Sequence, residues 1–147
     1  GSTMANFQFT DEFKKYLGDG TIDLDTHTFK VVLTNTAPTL GTDTVLADIT
    51  QIANGNGYTT GGATLGSVTW SETGAGTGIW RWNAADFSWT ASGGSIGPFR
   101  YVVIYDDTPT SPADPLVGMW DYGTNLTVTD GATFTGDIGT SGIFELS

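Results

Sequence analysis

From Thr26 to the C-terminus the chain keeps returning to a period of two, in short apolar-polar alternations cut off one after another by turn-forming residues. Phe29, Val31 and Leu33 alternate with Lys30, Val32 and Thr34 before Pro38 ends the run. Side chains alternate across an extended backbone, whereas a helical face needs apolar residues three and four apart. The same pattern gives strands at Ala63–Trp70, Gly78–Trp82, Asp86–Thr90, Pro98–Tyr105, Leu116–Tyr122, Leu126–Thr129, Ala132–Ile138 and Ile143–Leu146. Between them lie Gly74-Ala75-Gly76-Thr77-Gly78, Ser92-Gly93-Gly94, the proline-rich Thr108–Pro112 and Asp130-Gly131. Glycine supplies positive φ, proline presets φ, and Asp-Gly suits tight hairpins. Short strands punctuated in this way fold as a sandwich or barrel. The expected fold is all-β: an antiparallel β-sandwich, jelly-roll or Greek-key like, with a short N-terminal α-helix.

Alternation also sorts the strand faces. Phe99, Tyr101, Val103 and Tyr105 are expected on one face of their strand, with Arg100, Val102 and Ile104 on the other. Trp80 should share a face with Trp82, Phe87 with Trp89, and Trp120 with Leu116 and Tyr122. The stretch Thr44–Ile52 fits a short helical turn or an edge segment equally well, and Asn54-Gly55-Asn56-Gly57 then forces a turn.

The single helical signal runs from Thr10 to Leu17. Thr10 suits a cap, Asp11 and Glu12 the first turn, Lys14 and Lys15 the last, and Gly18 the stop. Phe9, Phe13, Tyr16 and Leu17 would then form a stripe that buries against a sheet.

At 147 residues the chain fits one domain. Gly1-Ser2-Thr3 ahead of Met4 read as an expression-tag remnant, which leaves residues 4–147 as the folded unit. No basic segment followed by an apolar run opens the chain, and no stretch approaches the ~18 apolar residues of a membrane span. A soluble protein without membrane association is expected. The chain lacks cysteine, which excludes disulfides and thiolate metal sites. Net charge is −11, and the five basic residues Lys14, Lys15, Lys30, Arg81 and Arg100 are scattered, so no basic stripe is available for nucleic acid.

Catalytic constellations are sparse. His27 is the one histidine, and neither a Gly-x-Ser-x-Gly elbow nor a His-Glu-x-x-His helix occurs. A Ser-His-Asp arrangement would have to be built on His27 alone. Asp106-Asp107, or Asp23 with Asp25, are candidate carboxylate pairs, although acids are numerous enough for chance neighbours. The run Asp19-Gly20-Thr21-Ile22-Asp23-Leu24-Asp25 invites calcium without matching an EF-hand loop. Gly74–Gly78 lacks the Lys-Ser/Thr of a phosphate-binding loop, and the Asn125-Leu126-Thr127 sequon has no secretory context. The expectation is a non-enzyme without cofactor or metal.

Several phrases carry a resemblance. Gly20–Asp25 followed by Phe29–Thr34, then Gly57-Tyr58-Thr59-Thr60-Gly61-Gly62-Ala63-Thr64-Leu65, then Trp89–Tyr101 and Gly142-Ile143-Phe144 resemble a family of small tailed-bacteriophage virion proteins, over residues 5–147. The resemblance implies a structural part of the virion and brings no catalytic residues. A capsid decoration or cement protein is the expected function, with the major capsid protein or other virion proteins as partners and self-association into a homo-oligomer. The alternative is a tail- or fibre-associated module that recognises host glycan, with Trp80, Trp82 or Trp120 exposed to stack on sugar rings.

Overall fold

In the computed structural model residues 6–147 are described, and the expected tag remnant, residues 1–3, lies outside them. The strands are β1 (Gln8–Phe9), β2 (Phe29–Thr34), β3 (Ala63–Thr64), β4 (Thr69–Glu72), β5 (Trp80–Asn83), β6 (Phe87–Thr90), β7 (Ile96–Asp106), β8 (Leu116–Val128), β9 (Thr133–Gly136) and β10 (Phe144–Leu146). They form a five-stranded sheet in the order β1-β8-β7-β2-β3, a three-stranded sheet β10-β5-β4 and a pair β6-β9, with every pairing antiparallel. The expected all-β sandwich with a short N-terminal helix is the fold observed.

The helix, α1 (Asp11–Asp19), runs further than its sequence signals indicate. Gly18 is its penultimate residue, and Gly20 ends it at φ 81°, in the left-handed region that glycine reaches without a Cβ penalty. Lys14 and Lys15 therefore sit mid-helix. Thr10 occupies the cap position, but its hydroxyl donates to the Leu116 and Val117 carbonyls (3.5 and 3.4 Å) and no side chain caps the helix. The residue that begins the helix thus also ties it to β8. Phe13 and Tyr16 are buried and Phe9 and Leu17 half-buried, as the stripe requires.

The expected strand Ala63–Trp70 divides in two. Leu65 sinks into the core, Ser67 adopts φ 52°, and the chain passes from β3 in one sheet to β4 in another. The opposite happens between Leu116 and Thr129, where the two expected strands are one, β8. Asp121 stands opposite Tyr101 and Leu126 opposite Phe99, so β8 spans five residues where β7 spans two. The surplus is accommodated in a bulge at Gly123, φ 90°.

Such irregularities also exchange faces. Gly118 is opposite Ile104 while Leu116 is opposite Tyr105, so Val117 is the extra residue of a bulge. Strict alternation places Leu116 with Trp120; instead Leu116 packs with Val32, Val103, Tyr105, Met119 and Ile49, whereas Val117 and Trp120 join the main core. The shift between Phe99 and Tyr101 likewise moves Phe99 to the side of Val102 and Ile104. An inserted residue reverses the parity of everything beyond it.

The five-stranded sheet is covered on both faces. The main core fills the interior between the sheets, from Phe29, Val31 and Leu33 on β2 to Trp82, Phe134 and Phe144 on the facing strands. On the other face Val32, Val103, Tyr105 and Leu116 lie beneath Leu40, Leu46 and Ile49. The ambiguous stretch after Thr44 supplies that cover through a 3-10 turn, Leu46–Asp48. The Asp48 carboxylate accepts the Thr44 and Val45 amides (2.9 and 3.3 Å), and these bonds hold it below the usual carboxylate range. Among the described residues no helix is long and apolar enough to cross a membrane.

Candidate functional site

The one histidine comes to rest beside one of the candidate carboxylates. His27 precedes β2 and Asp106 ends β7; antiparallel pairing brings them together, with Nδ1 2.5 Å from Oδ2. The Asp106 side chain is 0 % exposed. Burial raises its carboxyl above the usual range, opposed by hydrogen bonds from His27 and from the Thr108 amide (3.1 Å). A carboxylate on Nδ1 is how a histidine is oriented for general-base work, but a nucleophilic dyad also needs a hydroxyl or thiol on Nε2. Among the described residues Nε2 has no such partner. The pair fastens the chain preceding β2 to the end of β7.

Asp106 and Asp107 diverge where β7 ends, with Asp106, its last residue, buried and Asp107, in the bend that follows, exposed. Asp107 raises both neighbouring carboxyls: Asp106 slightly, after burial and its hydrogen bonds, and Asp114, which is raised first by burial and then by Asp107. Distance in sequence hides this contact, which depends on the proline-containing turn between β7 and β8. Tyr105, on the same strand, donates to the Gly61 carbonyl at 2.6 Å, and burial pushes its hydroxyl upward.

The acidic run at residues 19–25 forms turns. Asp19 accepts the Thr21 amide and hydroxyl (2.9 and 2.6 Å), and Asp23 accepts the Asp25 and Thr26 amides (2.9 and 3.2 Å) and the Thr26 hydroxyl (2.7 Å). Both carboxyls are held below their usual range by these bonds. Side-chain oxygens that accept backbone amides two or three residues on build Asx-type turns. Among the described residues no three His, Asp or Glu side chains converge as a metal ligand set. Asn125 lies in the exposed bulge of β8, and Gly74–Gly78 link β4 to β5 in a hairpin.

The three tryptophans proposed for glycan stacking separate completely. Trp80 is 42 % exposed, at the rim of the three-stranded sheet, where it stacks on Trp70 with ring centroids 5.9 Å apart. Trp82 has the same face, as alternation requires, but is 0 % exposed; its indole N–H donates to the Leu24 carbonyl at 3.0 Å and its ring meets Phe29 edge-on. Two residues along a strand are enough to pass from the rim to the centre of the sandwich, so Trp82 cannot serve as a platform. Trp120 is 4 % exposed, which removes it too as an open stacking surface.

An edge of Trp120 nevertheless reaches the floor of a groove of about 370 Å³, with Phe7 and Phe144 beside it. The Phe7 ring meets Trp120 edge-on at 4.9 Å and lies nearly parallel to Phe144 at 6.1 Å. Asn6, Asp137, Thr140, Ser141 and Glu145 supply polar groups around this aromatic floor. The groove escapes sequence reading because its walls come from both ends of the chain and from β8.

Comparison of the chain with protein-family models, with curated proteins and with solved structures finds no match.

Proposed function

We propose that this chain is a non-enzymatic structural protein of a tailed-phage virion, a decoration or cement protein of the head that docks on the major capsid protein or other virion proteins and associates with its own copies. The observation that carries the reading is the covering of the five-stranded sheet on both faces by the chain's own residues. This gives a preformed block in a chain that has no cysteine to cross-link it. A protein whose work is to bury surface between neighbours needs such a preformed shape, because ordering on binding subtracts from affinity.

The outer surface supports the same role. Accessible surface totals 6988 Å², so a standard interface of roughly 800 Å² per partner occupies about a tenth of it. Several neighbours can be engaged at once. Binding to the assembled shell alone then stabilises that shell by mass action, with moderate affinity at each contact sufficing. The His27–Asp106 pair is consistent with a non-enzyme, since it joins two segments and presents no nucleophile among the described residues.

Immunogold electron microscopy of native particles with antibody to this chain tests the reading. Label over the head is expected. Label confined to the tail or its tip would overturn the decoration role in favour of host recognition, and unlabelled particles would overturn the virion assignment altogether.

A further inference from the structure

The groove floored by Phe7, Trp120 and Phe144 joins an apolar surface to a rim held in place before any ligand arrives. Gly142 N–H donates to Gly139 carbonyl at 3.0 Å, closing a turn with Thr140 and Ser141 at its two central positions. Ile143 N–H donates to the Trp82 carbonyl at 2.8 Å and Ile138 N–H to the Asp86 carboxylate at 2.8 Å, so both flanks of the turn are anchored to neighbouring strands. Gly142, at φ 72°, lies so close to β5 that a Cβ would stand 2.5 Å from the Trp82 carbonyl oxygen. The turn is seated directly on the sheet, with no room for a side chain between them. Among the described residues, neither the Thr140 and Ser141 hydroxyls nor the Asp137 carboxylate makes an intrachain hydrogen bond.

From this geometry we infer that the groove is a binding site for a neutral saccharide, one sugar ring lying against Phe7, the half-exposed ring of the lining, and its hydroxyls meeting Asn6, Asp137, Thr140 and Ser141. The ligand class follows from the lining. A sugar presents an apolar C–H face and a perimeter of hydroxyls, which an aromatic floor with a ring of donors and acceptors complements. Among the described residues the lining has no basic side chain, which disfavours phosphate, sulfate and uronate. It is also a weak cation site, because Glu145 is already paired with Arg81 at 2.6 Å and, among the described residues, Asp137 is the other charged side chain of the lining. The volume of about 370 Å³ lies at the small end of ligand pockets, the scale of one or two sugar rings. The preformed rim lowers the ordering cost of binding. This inference stands apart from the place of the chain in the virion: a decorated head and an adsorbing tail can both carry such a groove.

The test is a ¹H–¹⁵N NMR titration of the full chain with glucose, galactose, rhamnose and N-acetylglucosamine, each to 50 mM, alongside glucuronate and a short oligoarginine peptide. At least one neutral sugar is expected to shift the Trp120 indole N–H and the amides of residues 138–143, while glucuronate and the peptide leave them in place. Thr140→Ala/Ser141→Ala, substituted at turn positions that tolerate alanine, should weaken that binding about tenfold with an otherwise unchanged spectrum. Trp80→Ala should leave it unaltered. The proposal is overturned if none of the four sugars shifts these resonances, if the shifts centre on Trp70 and Trp80, if the peptide or glucuronate shifts the groove instead, or if the double variant binds as well as the parent. None of these outcomes bears on immunogold labelling, so the two readings fail separately.

Discussion

The two layers of the sandwich are built from different materials. In the five-stranded sheet, β2 and the inner half of β7 present Val31, Val32, Leu33, Val102, Val103 and Ile104, mostly β-branched side chains almost free of solvent on both faces. The three-stranded sheet opposite them is aromatic: Trp70, Trp82 and Phe144 stand in one cross-strand row, with Glu72, Trp80 and Leu146 in the next. β-Branched residues fill a pleated plate that is covered on both sides. Large rings span from a thin, one-sided sheet to its neighbour, and where they pass the rim they emerge into solvent. The plate is thus the rigid part, and the aromatic layer is where surface and core meet.

Breaking the contrast at its centre should have the largest effect. Trp82→Ala removes a fully buried ring together with its bond to the Leu24 carbonyl, and about 3–5 kcal/mol of stability should be lost, read as a fall in the urea midpoint with unchanged m. On the far face of the plate, Leu116→Ala should cost about 2–5 kcal/mol in the same assay. A loss below ~1 kcal/mol there would mean that the cover formed by Leu40, Leu46 and Ile49 collapses into the space, and the plate would then be less rigid than the contrast requires. At the rim, Trp80→Ala gives up mainly its stacking on Trp70, worth about 0.5–1.5 kcal/mol.

The smaller tests are electrostatic. Arg100 and Asp121 pair at 2.8 Å across β7 and β8, both partly exposed, so Arg100→Gln should cost no more than about 1 kcal/mol, diminishing with salt in thermal melts. Asp106 sharpens the comparison through pH. Its carboxyl is raised in the folded state, so its contribution to stability is fully present below the unfolded value of 3.8 and is lost as pH rises through the folded value. Asp106→Asn lacks that titration. Calorimetry at a series of pH values from about 4 upward should show the variant gaining on the parent as pH rises. Asp19, Asp23, Asp48 and Asp121 are shifted the other way, so their contribution is present above 3.8 and falls away in acid.

Much of this architecture was legible in the residue order. Period-two alternation located β2 and most later strands, and the apolar stripe of Phe13 and Tyr16 located the face of α1 that buries. Errors gathered where one residue changes parity. Reading Leu116 with Trp120, or Phe99 with Tyr101, assumes an unbroken ladder, and β-bulges leave little trace in composition. The break at Ser67 and the continuity of β8 through Gly123 were missed for a related reason. A polar or glycine residue marks a bend equally well whether the chain then changes sheet or resumes the same strand.

Sequence alone determined the all-β class, the antiparallel pairing implied by short connections, the absence of disulfides and the acidic surface, because these depend on local periodicity, turn chemistry and composition. Tertiary structure decided which tryptophan is core and which is rim, which acid meets His27, and that Asn6, Phe7, Trp120 and the 137–145 segment share one groove. Those outcomes depend on strand order and register, and both are set by the simultaneous packing of segments far apart in the chain.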